Sequence, residues 1–153
     1  MARPRSDIAP RILHAARKRL KARGLPAAPI LCSDTTVALG RRILGKPADA
    51  ADARGTLSLL SGRTHRVITA VAVAAGRNDA LVVNVSHVRF AEISARQIVD
   101  YIRSGEPFGK AGAYAIQSAA AAWIAHIDGS YSGIMGLPLY ETAQLLRQVR
   151  VKF

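Results

Sequence analysis

"HRVITAVAVAAGRNDALVVNVSHVRF", residues 65 to 90, constrains the fold of this chain more than any other stretch. Two runs rich in valine and isoleucine flank a Gly76 to Asp79 turn. β-Branched residues on both sides of a glycine-containing turn predict a long antiparallel hairpin. A two-stranded hairpin is barely stable alone, so neighbouring segments must complete a sheet around it.

Those segments alternate strand and helix signals. Upstream, Ile30 to Ser33 is apolar, and Thr35 to Leu39 and Arg42 to Leu44 flank a turn at Gly40 and Arg41, which predicts a hairpin or a bent strand. Asp49 to Leu60 has a helical pattern capped by Asp49 and stopped by Gly62. Downstream, Ser94 and Gln97 form a capping box for a helix to about Arg103, which Gly105 ends. "SGEPFGKAGAYAIQ" is a polar, glycine-rich loop entering a short strand, Ala121 to Ile127 looks extended, and Pro138 starts a last helix ending near Val149. The fold class expected is α/β: a single domain, residues 1–153, with a mixed, twisted sheet flanked by helices.

At 153 residues, half of them apolar, the chain is long enough to bury one core. It has no stretch of roughly 18 to 20 apolar residues for a membrane helix, and its first thirty residues lack a secretory apolar core, so no membrane association and a cytoplasmic location are expected. A single cysteine, Cys32, excludes an internal disulfide and a cysteine-built zinc site, and its apolar setting suggests an inert buried thiol.

The net charge of +12 invites a polyanionic partner, yet its distribution matters more. Residues 1 to 23 hold eight Lys/Arg (Arg3, Arg5, Arg11, Arg17, Lys18, Arg19, Lys21 and Arg23) against one acid, Asp7. Residues 1–24 therefore read as a basic amphipathic helix beside a core of 25–153, helical from about Ile8 to Arg23 with Ser6 or Asp7 as N-cap. Ile8, Ile12, Ala16 and Leu20 would dock on that core. Its cationic face suits a nucleic-acid arm, a transit peptide or a source of phosphate-binding bases, and equally an ordinary solvated surface.

Two loops carry polar groups that composition does not require. One holds Asp34 at the end of an apolar run and Lys46 twelve residues later; the other holds Glu106, Lys110 and Gln117 among glycines. An ionised carboxylate beside a buried strand needs a cation, a donor or a metal. Such a set suits phosphate chemistry, in which a carboxylate holds a divalent cation or activates water, lysines neutralise phosphate oxygens and an amide reads a base edge. Turn capping is the competing role for Asp34 and solvation the competing role for Lys110. No Walker loop, dinucleotide fingerprint, HExxH or nucleophile elbow is present.

"SDTTVALGRRILGKPADAADARGTLSLLSGRTHRVITAVAV", "SGEPFGKAGAYAIQ" and "IDGSYSGIMGLPL" together resemble the Maf family of nucleoside triphosphate pyrophosphatases over roughly residues 30 to 148. The resemblance implies a Maf/ITPase-like fold. It also implies a hydrolase of nucleotide metabolism that cleaves a nucleoside triphosphate between the α and β phosphates with a divalent metal, Mg or Mn. Asp34 falls on the family's acidic residue in "ADT", the proton acceptor for the attacking water and a metal-holding group. Lys46 matches the lysine of "GKP", which neutralises the triphosphate. "KAGAYAIQ" is similar to the branch acting on dTTP and UTP, with modified pyrimidine nucleotides as further candidates. Gln117 and Thr35 match positions linked to base selection there, and Lys110 is a further phosphate or structural contact. Lys18 is the counterpart of a phosphate lysine on the preceding helix.

Two departures accompany the match. The family's "SxSPRR" motif has no counterpart in order, since "ARPRSD" differs from it, and Ser130 and Gly133 stand where the family usually has Asp and Asn. These departures imply an N-terminally truncated Maf-like domain of reduced catalytic power. The alternatives to an active pyrophosphatase are a catalytically impaired nucleotide-binding relative and, third, a nucleic-acid binder using the basic helix. A homodimer is compatible with each.

Overall fold

The computed structural model describes residues 8–153; Arg3, Arg5, Ser6, Asp7 and the side chain of Ile8 lie outside the described residues. The predicted hairpin is the centre of the sheet. β3 (Thr64–Ala75) and β4 (Asn78–Phe90) pair from Thr64↔Arg89 to Ala75↔Asn78. β1 (Ile30–Leu39) lies on β3, β2 (Arg42–Leu44) extends the sheet beyond β1, and β5 (Ile124–Asp128) closes the other side, giving the order β2-β1-β3-β4-β5.

Where the sequence suggests a mixed sheet, all four pairings among the described residues are antiparallel. The reason is the position of β1. Helix α2 (Ala50–Leu60) carries the chain from β2 to β3, which run in the same direction, but β1 lies between them, so no two neighbours are parallel. β2 pairs only with Val37, Ala38 and Leu39, and among the described residues Ile30 to Thr36 have a strand on the β3 side alone.

The caps expected for α2 and α3 are in place. Asp49 accepts from the Asp52 amide at 2.8 Å to start α2, and Ser94 with Gln97 forms the capping box of α3 (Ala95–Arg103). The glycine-rich loop is not the expected strand entry. It forms a 3₁₀ turn, Ala111–Ala113, because Gly112 (φ 72°) and Ala113 (φ 61°) take left-handed backbone that no extended segment allows, and a second 3₁₀ turn, Ala119–Trp123, follows where the sequence suggests extended backbone from Ala121. A short helix unanticipated in the sequence, α4 (Tyr131–Met135), precedes α5 (Leu139–Gln148).

The two faces of the sheet are covered differently. On one, Val37, Val67, Val88 and Phe90 pack with Leu57 and Leu60 of α2, Ile98 and Tyr101 of α3, and Trp123. Further along the same face Val71 and Val73 pack with Leu145 of α5. On the other, α1 (Ile8–Ala22) sets Leu13 against Ala70, Ala72 and Ala74. Ile12, Ala16 and Leu20 are half-buried, so the docking stripe is rotated by one position from the predicted one, and the recessed alanines admit Leu13 as its buried residue. Among the described residues no helix is long and apolar enough to cross a membrane.

Candidate active site

Between the two core clusters the first face opens into a cavity of about 300 Å³. Its lining includes Asp34, Thr35, Lys46, Lys110 and Gln117, five of the six residues that the family resemblance places at the site, while Glu106 does not line it. They come from three segments that the fold ties together. Leu44 and Pro47 are buried on either side of Lys46 and fix its loop. The Gly112 amide donates to the Gly45 carbonyl at 3.1 Å, stitching the lysine loop to the glycine-rich one. Gly112 is required there twice over, by its φ and because a Cβ would come within 2.9 Å of Val37.

Alternation along β1 decides which side chains enter. Ser33, Thr35 and Val37 share a face with Val71, Thr69 and Val67, their register partners. Ser33 donates to the Gly136 carbonyl, and Thr35 Oγ1 lies 2.9 Å from Thr69 Oγ1, which in turn donates to the Gly133 carbonyl at 2.7 Å. Asp34, opposite Ala70, leaves the strand on the other face and borders the cavity at the edge of β1 that lacks a neighbouring strand among the described residues. It is exposed, and among the described residues its carboxylate has no hydrogen-bond or ion-pair partner. The partner that the sequence demanded is therefore not supplied by this described protein surface.

Lys46 is exposed at the cavity, whereas Lys110 is half-buried and its Nζ donates to the Glu106 carbonyl. Gln117 is exposed where it lines the cavity. Lys18 is apart from this group: it sits exposed on α1, the helix that covers the opposite face, and does not line the cavity. Arg17 beside it is paired with Asp79, Nη1 donating to Oδ2 at 2.9 Å.

Ser130 accepts from the Gly133 amide at 2.9 Å and caps α4, work that an aspartate does equally well, and it does not line the cavity. Gly133 has no room for a side chain, since a Cβ would meet Asn84 Oδ1 at 2.6 Å. The departure at 130 is thus met by local helix capping.

Tyr114, Thr69 and Ser33 were missed in the sequence. Tyr114 lines the cavity and its hydroxyl lies 2.7 Å from His65 Nε2. Burial lowers the His65 pKa to about 4, and burial followed by the neighbouring Tyr101 pushes the Tyr114 phenol up, so the pair is neutral over the physiological range. His65, Phe90 and Tyr114 meet edge to face with centroids 4.8 to 5.5 Å apart, a rigid back wall. One available signal was Thr69, a lone hydroxyl in the apolar run "VITAVAV".

The Maf family model, described as Maf-like protein, matches residues 3–149. The chain is 63% identical over 140 residues to a dTTP/UTP pyrophosphatase of Albidiferax ferrireducens, covering 92% of this chain and 70% of that protein. A dTTP/UTP pyrophosphatase of Polaromonas sp. is 62% identical, with 92% and 69% covered, and one of Ralstonia nicotianae is 62% identical, with 90% and 67% covered. With a family match over nearly its whole length and relatives at this identity, the chain belongs to the Maf family.

Proposed function

We propose that this chain hydrolyses dTTP and UTP, and pyrimidine nucleotides modified away from the recognised edge, to the monophosphate and pyrophosphate. The observation that carries this reading is the meeting of Asp34, Lys46, Lys110 and Gln117 at one cavity, in a chain 63% identical to a relative named for that activity. Asp34 is the base that takes a proton from water as the water oxygen attacks the anhydride and pyrophosphate departs. Among the described residues it is the only carboxylate lining the cavity. Lys46 and Lys110 offset the charge of the triphosphate, and Gln117 pairs with the base edge. Among the described residues none of α1 lines this cavity, whose lining comes from residues 33 to 135.

The donor set fits a hard divalent cation. Among the described residues no group of three His, Cys, Asp or Glu could hold a metal alone, but Mg²⁺ is commonly held by one or two carboxylates with substrate phosphates. Asp34 would hold Mg or Mn in that way, and the bound ion would screen the phosphate charge. A cytoplasmic enzyme, with or without a homodimer, is consistent with this chemistry.

The test is pyrophosphate release from dTTP, UTP, ATP and GTP with Mg²⁺. The pyrimidine substrates should be preferred, and Gln117→Ala should erode that preference by roughly 1 to 3 kcal/mol, the usual cost of an unpaired polar group. Equal rates on all four nucleotides would refute the assignment of Gln117 and the substrate class together.

A further inference from the structure

Gln117 and Thr35 both line the cavity, yet they differ in what they can decide. A side-chain amide exchanges donor and acceptor when it flips, and among the described residues no hydrogen bond holds the Gln117 amide one way round. It pairs as well with cytosine, which offers a lone pair at N3 beside an amino donor, as with uracil, which offers N3–H beside a carbonyl. Gln117 therefore reads a pyrimidine edge without fixing its polarity.

Thr35 has its polarity fixed for it. The Gly133 carbonyl can only accept, so Thr69 Oγ1 is the donor in their 2.7 Å bond. With its single proton committed, Thr69 must accept in the 2.9 Å contact with Thr35 Oγ1, and Thr35 must donate. The protons run in one direction, from Thr35 to Thr69 to the carbonyl. The middle and the end of that relay are packed: Thr69 is 0% exposed in the middle of β3, and Gly133 is buried where even an added Cβ would meet Asn84 Oδ1 at 2.6 Å. Thr35 consequently shows the cavity lone pairs only.

We infer that Thr69 is a positioning residue for base selection. By taking the one proton of Thr35 it makes Thr35 an obligate acceptor, which suits a base that donates at N3, uracil or thymine, and opposes cytosine. This rests on the pyrimidine triphosphate reading of the cavity, and Thr69 itself touches no substrate.

The experiment compares kcat and KM on UTP, CTP and N3-methyluridine triphosphate, with Mg²⁺, for the parent, Thr69→Ser and Thr69→Val. Thr69→Ser retains the relay. Thr69→Val keeps the side-chain shape and leaves the Gly133 carbonyl its second donor, the Gly136 amide at 3.1 Å, while releasing the Thr35 proton to the cavity. The parent should favour UTP over CTP, and over the N3-methyl nucleotide, by about tenfold or more. Thr69→Val should collapse the UTP:CTP ratio mainly through KM, and Thr69→Ser should restore it.

An unchanged ratio in Thr69→Val, or equal handling of UTP and the N3-methyl nucleotide by the parent, overturns the inference and leaves the proposed hydrolysis standing. Should Thr69→Val fail to fold, Thr69→Ala, which removes the same hydroxyl, takes its place, and a UTP:CTP ratio unchanged from the parent in that variant overturns the inference. A parent that hydrolyses no triphosphate refutes the proposed function, and the three nucleotides are then ranked by dissociation constant. Equal binding of UTP and CTP would overturn the role of Thr69.

Discussion

The two faces of β3 solve opposite problems with the same alternation. One face presents Ala70, Ala72 and Ala74, small enough for α1 to seat Leu13 directly on the sheet. The other presents Val67, Val71 and Val73 with Thr69 among them, and there the sheet buries a hydroxyl that reaches the carbonyl of α4. The alanine face tolerates no extra volume because close approach is all it provides. The threonine face accepts the Thr69 hydroxyl because its proton has an acceptor, the Gly133 carbonyl. Packing governs the first and hydrogen-bond direction the second.

The largest effect should come from the edge where these faces meet. Asp34→Asn removes the only carboxylate that lines the cavity among the described residues and should lower kcat by about a hundredfold or more, measured as pyrophosphate release. Substantial turnover in that variant would move the base elsewhere.

Next comes the acid limb of stability on the cavity face. His65 has a folded pKa of about 4, lowered by burial, against about 6.5 when unfolded. Between those values the unfolded chain binds the additional proton, so stability is fully present above 6.5, falls as pH falls, and stops falling below 4. About 3 kcal/mol should be lost across that window in urea melts, an order-of-magnitude figure from the difference of the two pKa values. His65→Phe should flatten this slope; an unchanged slope would assign the acid sensitivity to other groups.

The alanine face offers a smaller effect of a different kind. Ala72→Leu should overpack the contact with Leu13 and cost about 1 to 3 kcal/mol in thermal or urea unfolding. Its KM for UTP should remain near that of the parent. A changed KM with intact stability would show that the two faces are coupled.

Smallest of all should be Lys18→Ala. An exposed side chain on α1, away from the cavity lining, is expected to change stability by less than about 0.5 kcal/mol. Steady-state rates on dTTP should stay within about twofold, the size of a surface effect of that order. A large loss of activity would place the triphosphate on the α1 side of Asp34 and redraw the site.

Features that depend on neighbours along the chain are legible in the sequence. The β3–β4 hairpin follows from β-branched runs around a glycine turn, and the starts of α2 and α3 follow from Asp49 and from Ser94 with Gln97. Asp34, Lys46, Lys110 and Gln117 were legible as polar groups in glycine-rich or strand-end settings, and the resemblance to one family supplied their grouping. The rest depends on residues far apart in the chain. The sheet is antiparallel because β1 is inserted between two strands that run the same way, which no local pattern encodes. Leu13 rather than Ile12 is buried because three alanines more than fifty residues away leave the space. Lys18 is set apart from the cavity because α1 covers the other face. The direction of the Thr35 proton is fixed by Thr69 and Gly133, residues separated from Thr35 by the length of the sheet's own connections, because a hydroxyl's role depends on whether its neighbour in space has a proton left to give.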